Sequence, residues 1–217
     1  RKRCAFIGEQ YSPHQLATSS IKIRFARALL SGPLTLANVR PVNSASTTRY
    51  PASPQSADGW RLDRITPPSR LFGANGLRTG PDGRIYIAQV TGSTISALDV
   101  NTGALETISA KGGEIVAPDD VAFGADGVLY ATEVMDGRVA ARTADGRTRI
   151  LRDDMPSANG ITVHQGRLFV NECRDGGRLF EMNLDGGAPR LIAENLPSPN
   201  AMEVGPDGLL YFPVMTA

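Results

Sequence analysis

Four stretches of this chain share one pattern, and that repetition limits the fold more than any total does. They are Ala74–Gln89 (ANGLRTGPDGRIYIAQ), Pro118–Glu133 (PDDVAFGADGVLYATE), Ala158–Glu172 (ANGITVHQGRLFVNE) and Pro199–Val214 (PNAMEVGPDGLLYFPV). The polar residue at the second position is Asn75, Asp119, Asn159 and Asn200, spaced by 44, 40 and 41 residues. An aromatic follows at Tyr86, Tyr130, Phe169 and Tyr211. A period of about 40 residues holding several short strands marks a β-propeller, in which each repeat is one four-stranded antiparallel blade. The expected fold class is therefore all-β, with about three and a half blades in residues 58–217.

The third unit shows how one repeat divides. Ile161–His164 reads as the inner strand, Leu168–Glu172 as the second, Arg178–Asn183 as the third and Pro189–Ala193 as the outer one. Turns containing Gly166, Gly176/Gly177 and Gly186/Gly187 separate them, because glycine takes positive φ at low cost. The turns Pro81–Gly83, Ala125–Gly127 and Pro206–Gly208 do the same in the other units. The repeated aromatics occupy alternating strand positions and read as core between packed blades.

Residues 1–57 differ in kind. They hold eight Lys/Arg and a single acid, Glu9, whereas the rest of the chain holds 15 basic and 21 acidic residues. A basic, low-complexity or disordered extension is expected there. Ser20–Gly32 could form a short basic amphipathic helix, and Arg40–Gly59 reads as linker. Cytoplasmic placement is the expectation, with the extension as a targeting segment the alternative. The acidic body argues against a nucleic-acid partner. No apolar run approaches the ~20 residues of a membrane span. Cys4 and Cys173 are too far apart to suggest a disulfide framework, and two His with no Cys-x-x-Cys all but exclude a His/Cys zinc site.

The polar positions point to chemistry. Strands in a blade alternate in direction, so turns entering inner strands share a face with turns joining second and third strands. Asn75, Asp119, Asn159 and Asn200 should then ring the mouth of the central channel. Glu133, Asp136, Glu172, Arg174 and Asp175 should flank that mouth from further out, where Glu133, Glu172, Arg174 and Asp175 would contact a small-molecule substrate. A ring of carboxylate and amide oxygens suits a hard divalent cation. The bland reading is local: Asn and Asp before strands also satisfy nearby backbone groups. Asp120 adjoins Asp119, and alternation predicts that only one of the two faces the channel. His164 lies at the opposite turn and reads as exposed, Cys173 as a bystander near the mouth, and Glu203 as either channel-facing or a paired strand acid.

The motifs ANGL, PDDV, ANGI and PNAM ahead of "G-x-(L/I)-(Y/F)" strands resemble the senescence-marker protein (regucalcin)/gluconolactonase family. The resemblance runs from about Trp60 to the end. It implies a six-bladed propeller with a divalent metal (Ca, Zn, Mn or Mg) in the channel and a hydrolase that opens a lactone or related ester. It also implies Asn159 and Asp119 as metal ligands, with Asn75 and Asn200 at equivalent turns, and Asp119 as general base. The family's first-blade Glu has no counterpart here, and six blades need roughly 240 residues, so the chain reads as part of a longer protein. Trp60–Ile65 (WRLDRI) is a candidate closing strand. The segments ANGITV…GRLFVNE and ADGVLYATE also look like streptogramin lyase repeats, which usually employ a catalytic His. A non-enzymatic scaffold of the NHL-repeat kind is a third reading, and strictosidine-synthase-like propellers are further relatives.

Overall fold

The computed structural model describes residues 65–66 and 71–215. The basic extension, the Ser20–Gly32 helix, the Arg40–Gly59 linker, Cys4 and nearly all of Trp60–Ile65 lie outside the described residues. Among the described residues there is no helix, and the repeat becomes consecutive antiparallel sheets. The first blade is β1 (Ala74–Thr79), β2 (Ile85–Gln89), β3 (Thr94–Leu98) and β4 (Leu105–Ser109). The second is β5 (Pro118–Phe123), β6 (Leu129–Glu133), β7 (Arg138–Arg142) and β8 (Thr148–Arg152). The third is β9 (Ala158–His164), β10 (Arg167–Glu172), β11 (Asp175–Asn183) and β12 (Gly186–Pro197). A two-stranded sheet, β13 (Glu203–Val204) and β14 (Leu210–Tyr211), begins a fourth unit. The strands of each sheet are hydrogen-bonded in sequence order, and β1, β5, β9 and β13 pack against one another in turn. This is the β-propeller that the repeat predicts.

Blade faces carry the core. Tyr86, Ile95, Ile115, Val121 and Leu129 pack the first blade against the second. Val139, Met155, Ile161, Leu168 and Met182 do so for the second and third, and Leu179, Met202, Leu210 and Phe212 for the third and fourth. Each fully buried Ile, Leu or Val contributes about 1.5–3 kcal/mol. β12 runs longer than expected because β11 and β12 stay paired through several register shifts, from Asn183↔Gly186 to Asp175↔Pro197.

The Gly-Pro-Asp-Gly spacing has a packing reason. Gly80 and Gly205 lie flat against the rings of Tyr86 and Tyr211, where a Cβ would collide. The turn aspartates then accept the phenol hydroxyls, Tyr86 to Asp82 at 3.1 Å and Tyr211 to Asp207 at 2.6 Å.

Candidate functional site

The residue two places before each ring position is left-handed: Gly73 (φ 61), Ala117 (φ 46), Ser157 (φ 59) and Ser198 (φ 49). Three of these are not glycine, a conformation that costs roughly 1–2 kcal/mol at each. Backbone N–H groups beyond the second strand reach three of the four, Val90 to Gly73, Cys173 to Ser157 and Met215 to Ser198, at 2.9–3.0 Å, while the Ala117 N–H donates to Ser93 Oγ at 3.0 Å. Just beyond, the ladder slips. Register shifts fall between Ala74 and Leu77, between Pro118 and Val121, and between the pairs Val170↔Ile161 and Glu172↔Ala158. A bulge re-aims the side chains it carries. Asn75, Asp119 and Asn159 all sit on these bulges, so simple alternation does not govern them.

Both carboxylates of the Asp119-Asp120 pair are consequently buried, at 6% and 4% exposure. They are used differently. The Asp120 Oδ2 accepts the Ile161 N–H at 3.2 Å, from the next inner strand, while its Oδ1 accepts the Val121 N–H at 2.8 Å. Asp119 receives a hydrogen bond from the Asn75 side chain. Burial, then the neighbouring Asp120 charge, push the Asp119 carboxyl up to about 6, against the opposing pull of the Asn75 hydrogen bond.

Asn159 is buried, and its Oδ1 has no hydrogen-bond partner. Its backbone carbonyl accepts the Thr132 hydroxyl from the preceding blade. Asn200 is half-buried; its Oδ1 accepts the Ala201 N–H at 2.7 Å and its amide nitrogen faces the sulfurs of Met215 (3.2 Å) and Cys173 (3.6 Å). Cys173 is half-buried beside it, and burial, with a contribution from the Asp119 charge, raises its thiol pKa. So Asn75 and Asp119 are brought into contact, and Cys173 stands within electrostatic reach of Asp119 and in contact with Asn200.

The Asn-Gly pairs owe their glycine to crowding rather than to a turn. A Cβ on Gly160 would lie 2.5 Å from the Asn200 carbonyl oxygen and 3.0 Å from the Asn171 amide nitrogen. A Cβ on Gly76 would collide with Asp120 Oδ1.

The outer residues differ from expectation. Glu133 and Glu172 are fully buried. Glu133 Oε2 accepts the Val116 N–H at 2.9 Å and bonds Arg138 Nε at 3.0 Å; Arg138 also pairs with Asp136 at 3.2 Å. Glu172 binds Arg178 Nε at 2.8 Å and Arg174 at 3.0 Å. These glutamates close the turns joining second and third strands and are not open to a substrate. Arg174 is engaged by Glu172 in the same way, and Asp175, exposed, accepts the Ser198 hydroxyl at 3.1 Å. The equivalent residue in the first blade, Gln89, is likewise buried and bonds Ser96. His164 ends β9, at the opposite end from Asn159, and is half-buried rather than exposed.

Arg78 is the residue that the pattern concealed. It occupies the fifth repeat position, where the other units have Ala122, Thr162 and Glu203. Its guanidinium reaches the Val121, Ile161 and Met202 carbonyls and pairs with Glu203, so Glu203 is a paired acid on the channel side. Among the described residues, no three His, Cys, Asp or Glu side chains converge on one point. Beside the mouth loops, Met135, Asp136, Asp153, Asp154 and Ser157 line a shallow cavity of about 330 Å³.

No protein-family model and no curated protein sequence matches the chain. Solved structures do. A gluconolactonase from Xanthomonas campestris superposes with a TM-score of 0.60 at 14% identity, over 67% of this chain and 55% of that one. A catalytically inactive virginiamycin B lyase from Staphylococcus aureus, in which a histidine is replaced by alanine, was solved with quinupristin. It gives 0.56 at 20% identity, over 68% and 51%. A structure of the nidogen/laminin complex gives 0.54 at 22% identity, over 61% and 52%. The chain thus spans about half the length of the structures it resembles.

Proposed function

We propose that this chain belongs to a hydrolase that opens a lactone or related ester at the propeller mouth. A divalent cation would be held by Asp119 and Asn159, with Asn75 and Asn200 beside them. One observation carries the reading: Asn159 Oδ1 is buried without a partner, at the repeat position that in the preceding blade holds the buried Asp119. An orphaned buried carbonyl oxygen is costly. A carboxylate and amide oxygens are the donor chemistry of a hard cation, so the residues fit the group.

When bound, such a cation polarises an ester carbonyl and acidifies water. Asp119 accepts the proton of the attacking water. Burial and the Asp120 charge raise its pKa to about 6 without a cation, and a bound cation would lower it again. Asn75 orients it by the hydrogen bond they share. The cavity beside Met135 and Asp153 would receive the part of the substrate away from the reacting carbonyl. The gluconolactonase likeness agrees with this reading but rests on fold alone.

The lyase reading is second. The virginiamycin B lyase variant without its histidine is inactive, and His164, the one histidine among the described residues, sits at the wrong end of β9. The test is calorimetric titration of Ca²⁺, Mn²⁺ and Zn²⁺ alongside hydrolysis of aliphatic lactones, with Asp119→Ala and Asn159→Ala in parallel. Stoichiometric binding and lactone opening, both lost in the variants, support the proposal. A folded protein that binds no divalent cation sinks it and leaves the scaffold reading in front. Binding without hydrolysis would keep the site and favour elimination chemistry.

A further inference from the structure

An inner strand of a propeller is the edge of its sheet. β5, β9 and β13 each end the strand order of their blades, so one row of their backbone groups has no neighbouring strand to pair with. Such carbonyls need donors when water is restricted. Three of them come from the same repeat position in three successive units, Val121, Ile161 and Met202. They meet at one group. Arg78 Nε donates to the Val121 oxygen at 3.1 Å, and Nη2 donates to Ile161 at 3.1 Å and to Met202 at 3.3 Å. Nη1 pairs with the Glu203 carboxylate, and Asp120 Oδ2 lies 3.9 Å from Nη2. The Arg78 side chain is 18% exposed and that of Asp120 is 5% exposed.

We propose that the channel beneath the mouth is a cation site. Its ligands are the Val121, Ile161 and Met202 carbonyl oxygens with the Asp120 and Glu203 carboxylates, and this chain fills it with the guanidinium of Arg78. A ring of carbonyls and carboxylates from repeated positions is the arrangement that replaces a cation's hydration shell. A guanidinium presents five N–H donors in a planar fork and is always charged, so one side chain can serve several oxygens at once. The quasi-symmetry of the strands supplies the oxygens, and the first unit supplies the cation at a position that differs in every unit, Arg78, Ala122, Thr162 and Glu203. Asp120 adds a second tie, because the oxygen nearest Arg78 also holds the Ile161 N–H. Arg78 is thus the tether of the four inner strands. The proposal is independent of the hydrolase reading.

The test is chemical rescue. Arg78→Ala leaves the oxygens without their cation, and its thermal unfolding is followed in millimolar methylguanidinium chloride against sodium chloride of equal ionic strength. The expected result is a melting temperature several degrees below that of the parent, restored saturably by methylguanidinium, while the parent does not respond. A folded Arg78→Ala protein that does not respond, or a parent that responds equally, overturns the proposal. Arg78→Lys and Arg78→Met guard against a failure to fold. Lysine keeps the charge and methionine keeps only the bulk, so the lysine variant should melt clearly higher. Equal melting temperatures, or failure of both to fold, would show that the site does not select a cation and would overturn the proposal as well.

Discussion

Replacing Asp119 by Asn should stabilise the protein at neutral pH and leave it nearly unchanged in acid. Burial, and then the Asp120 charge, push the folded carboxyl up from its ordinary 3.8 to about 6. A folded pKa above the unfolded one means that stability is fully present below 3.8 and is lost as pH rises through 6. Taken whole, that gap converts to about 3 kcal/mol of destabilisation at neutral pH. Relaxation of the surrounding groups lowers the effective cost of a buried charge, which brings the expected figure to roughly 1–2 kcal/mol. Asparagine is isosteric and keeps an oxygen for the Asn75 amide, so little else changes. Urea unfolding of parent and variant at about pH 4 and about pH 7.5 reads the difference, with equal m-values as the check on the denatured state. A gain that appears at the upper pH and mostly vanishes at the lower one is the expected outcome. The same difference at both pH values, or a loss at the upper one, would refute the argument that Asp119 is held charged at a cost. Under the hydrolase reading, millimolar Ca²⁺ should narrow the gap by stabilising the parent alone.

Gly160→Ala should cost about 1–3 kcal/mol in urea unfolding, because its Cβ would meet the Asn200 carbonyl oxygen at 2.5 Å and backbone must move. Glu172→Gln should cost about 2–3 kcal/mol, less than the ~3–5 of a wholly buried pair because Arg174 and Arg178 are partly exposed. It should leave the KM for any lactone substrate unchanged; a raised KM would return Glu172 to the substrate. Ala117 holds φ 46, so Ala117→Val should lose about 1–2 kcal/mol, read by the same urea midpoint. Ala117→Gly should stay within about 1 kcal/mol of the parent, since relief of strain is offset by the freedom glycine gains when unfolded.

The fold was legible because a propeller blade is local. Each strand and turn lies within one repeat, so Pro81–Gly83 or Pro206–Gly208 announces its turn without knowledge of any other blade. The recurrence of Asn75, Asp119, Asn159 and Asn200 was legible for the same reason: a fourfold repeat is visible in one dimension. Their surroundings were not. The burial of both carboxylates of the Asp119-Asp120 pair was not legible, because sequence periodicity does not reveal the bulge that carries them. Glu133 and Glu172 looked like mouth residues from their turns, yet arginines five and six residues further on draw them into the blade.

Sequence alone determined that this chain makes antiparallel blades about 40 residues apart and which polar residues enter each inner strand, since both follow from periodicity. Tertiary structure alone decided that Asn159 Oδ1 lacks a partner, that Asp119 is buried beside Asp120, and that Arg78 meets carbonyls 43, 83 and 124 residues away. The physical reason is one of range. Turn chemistry and strand pairing act between neighbours in sequence, whereas burial and charge act between groups that only closure of the inner strands brings together.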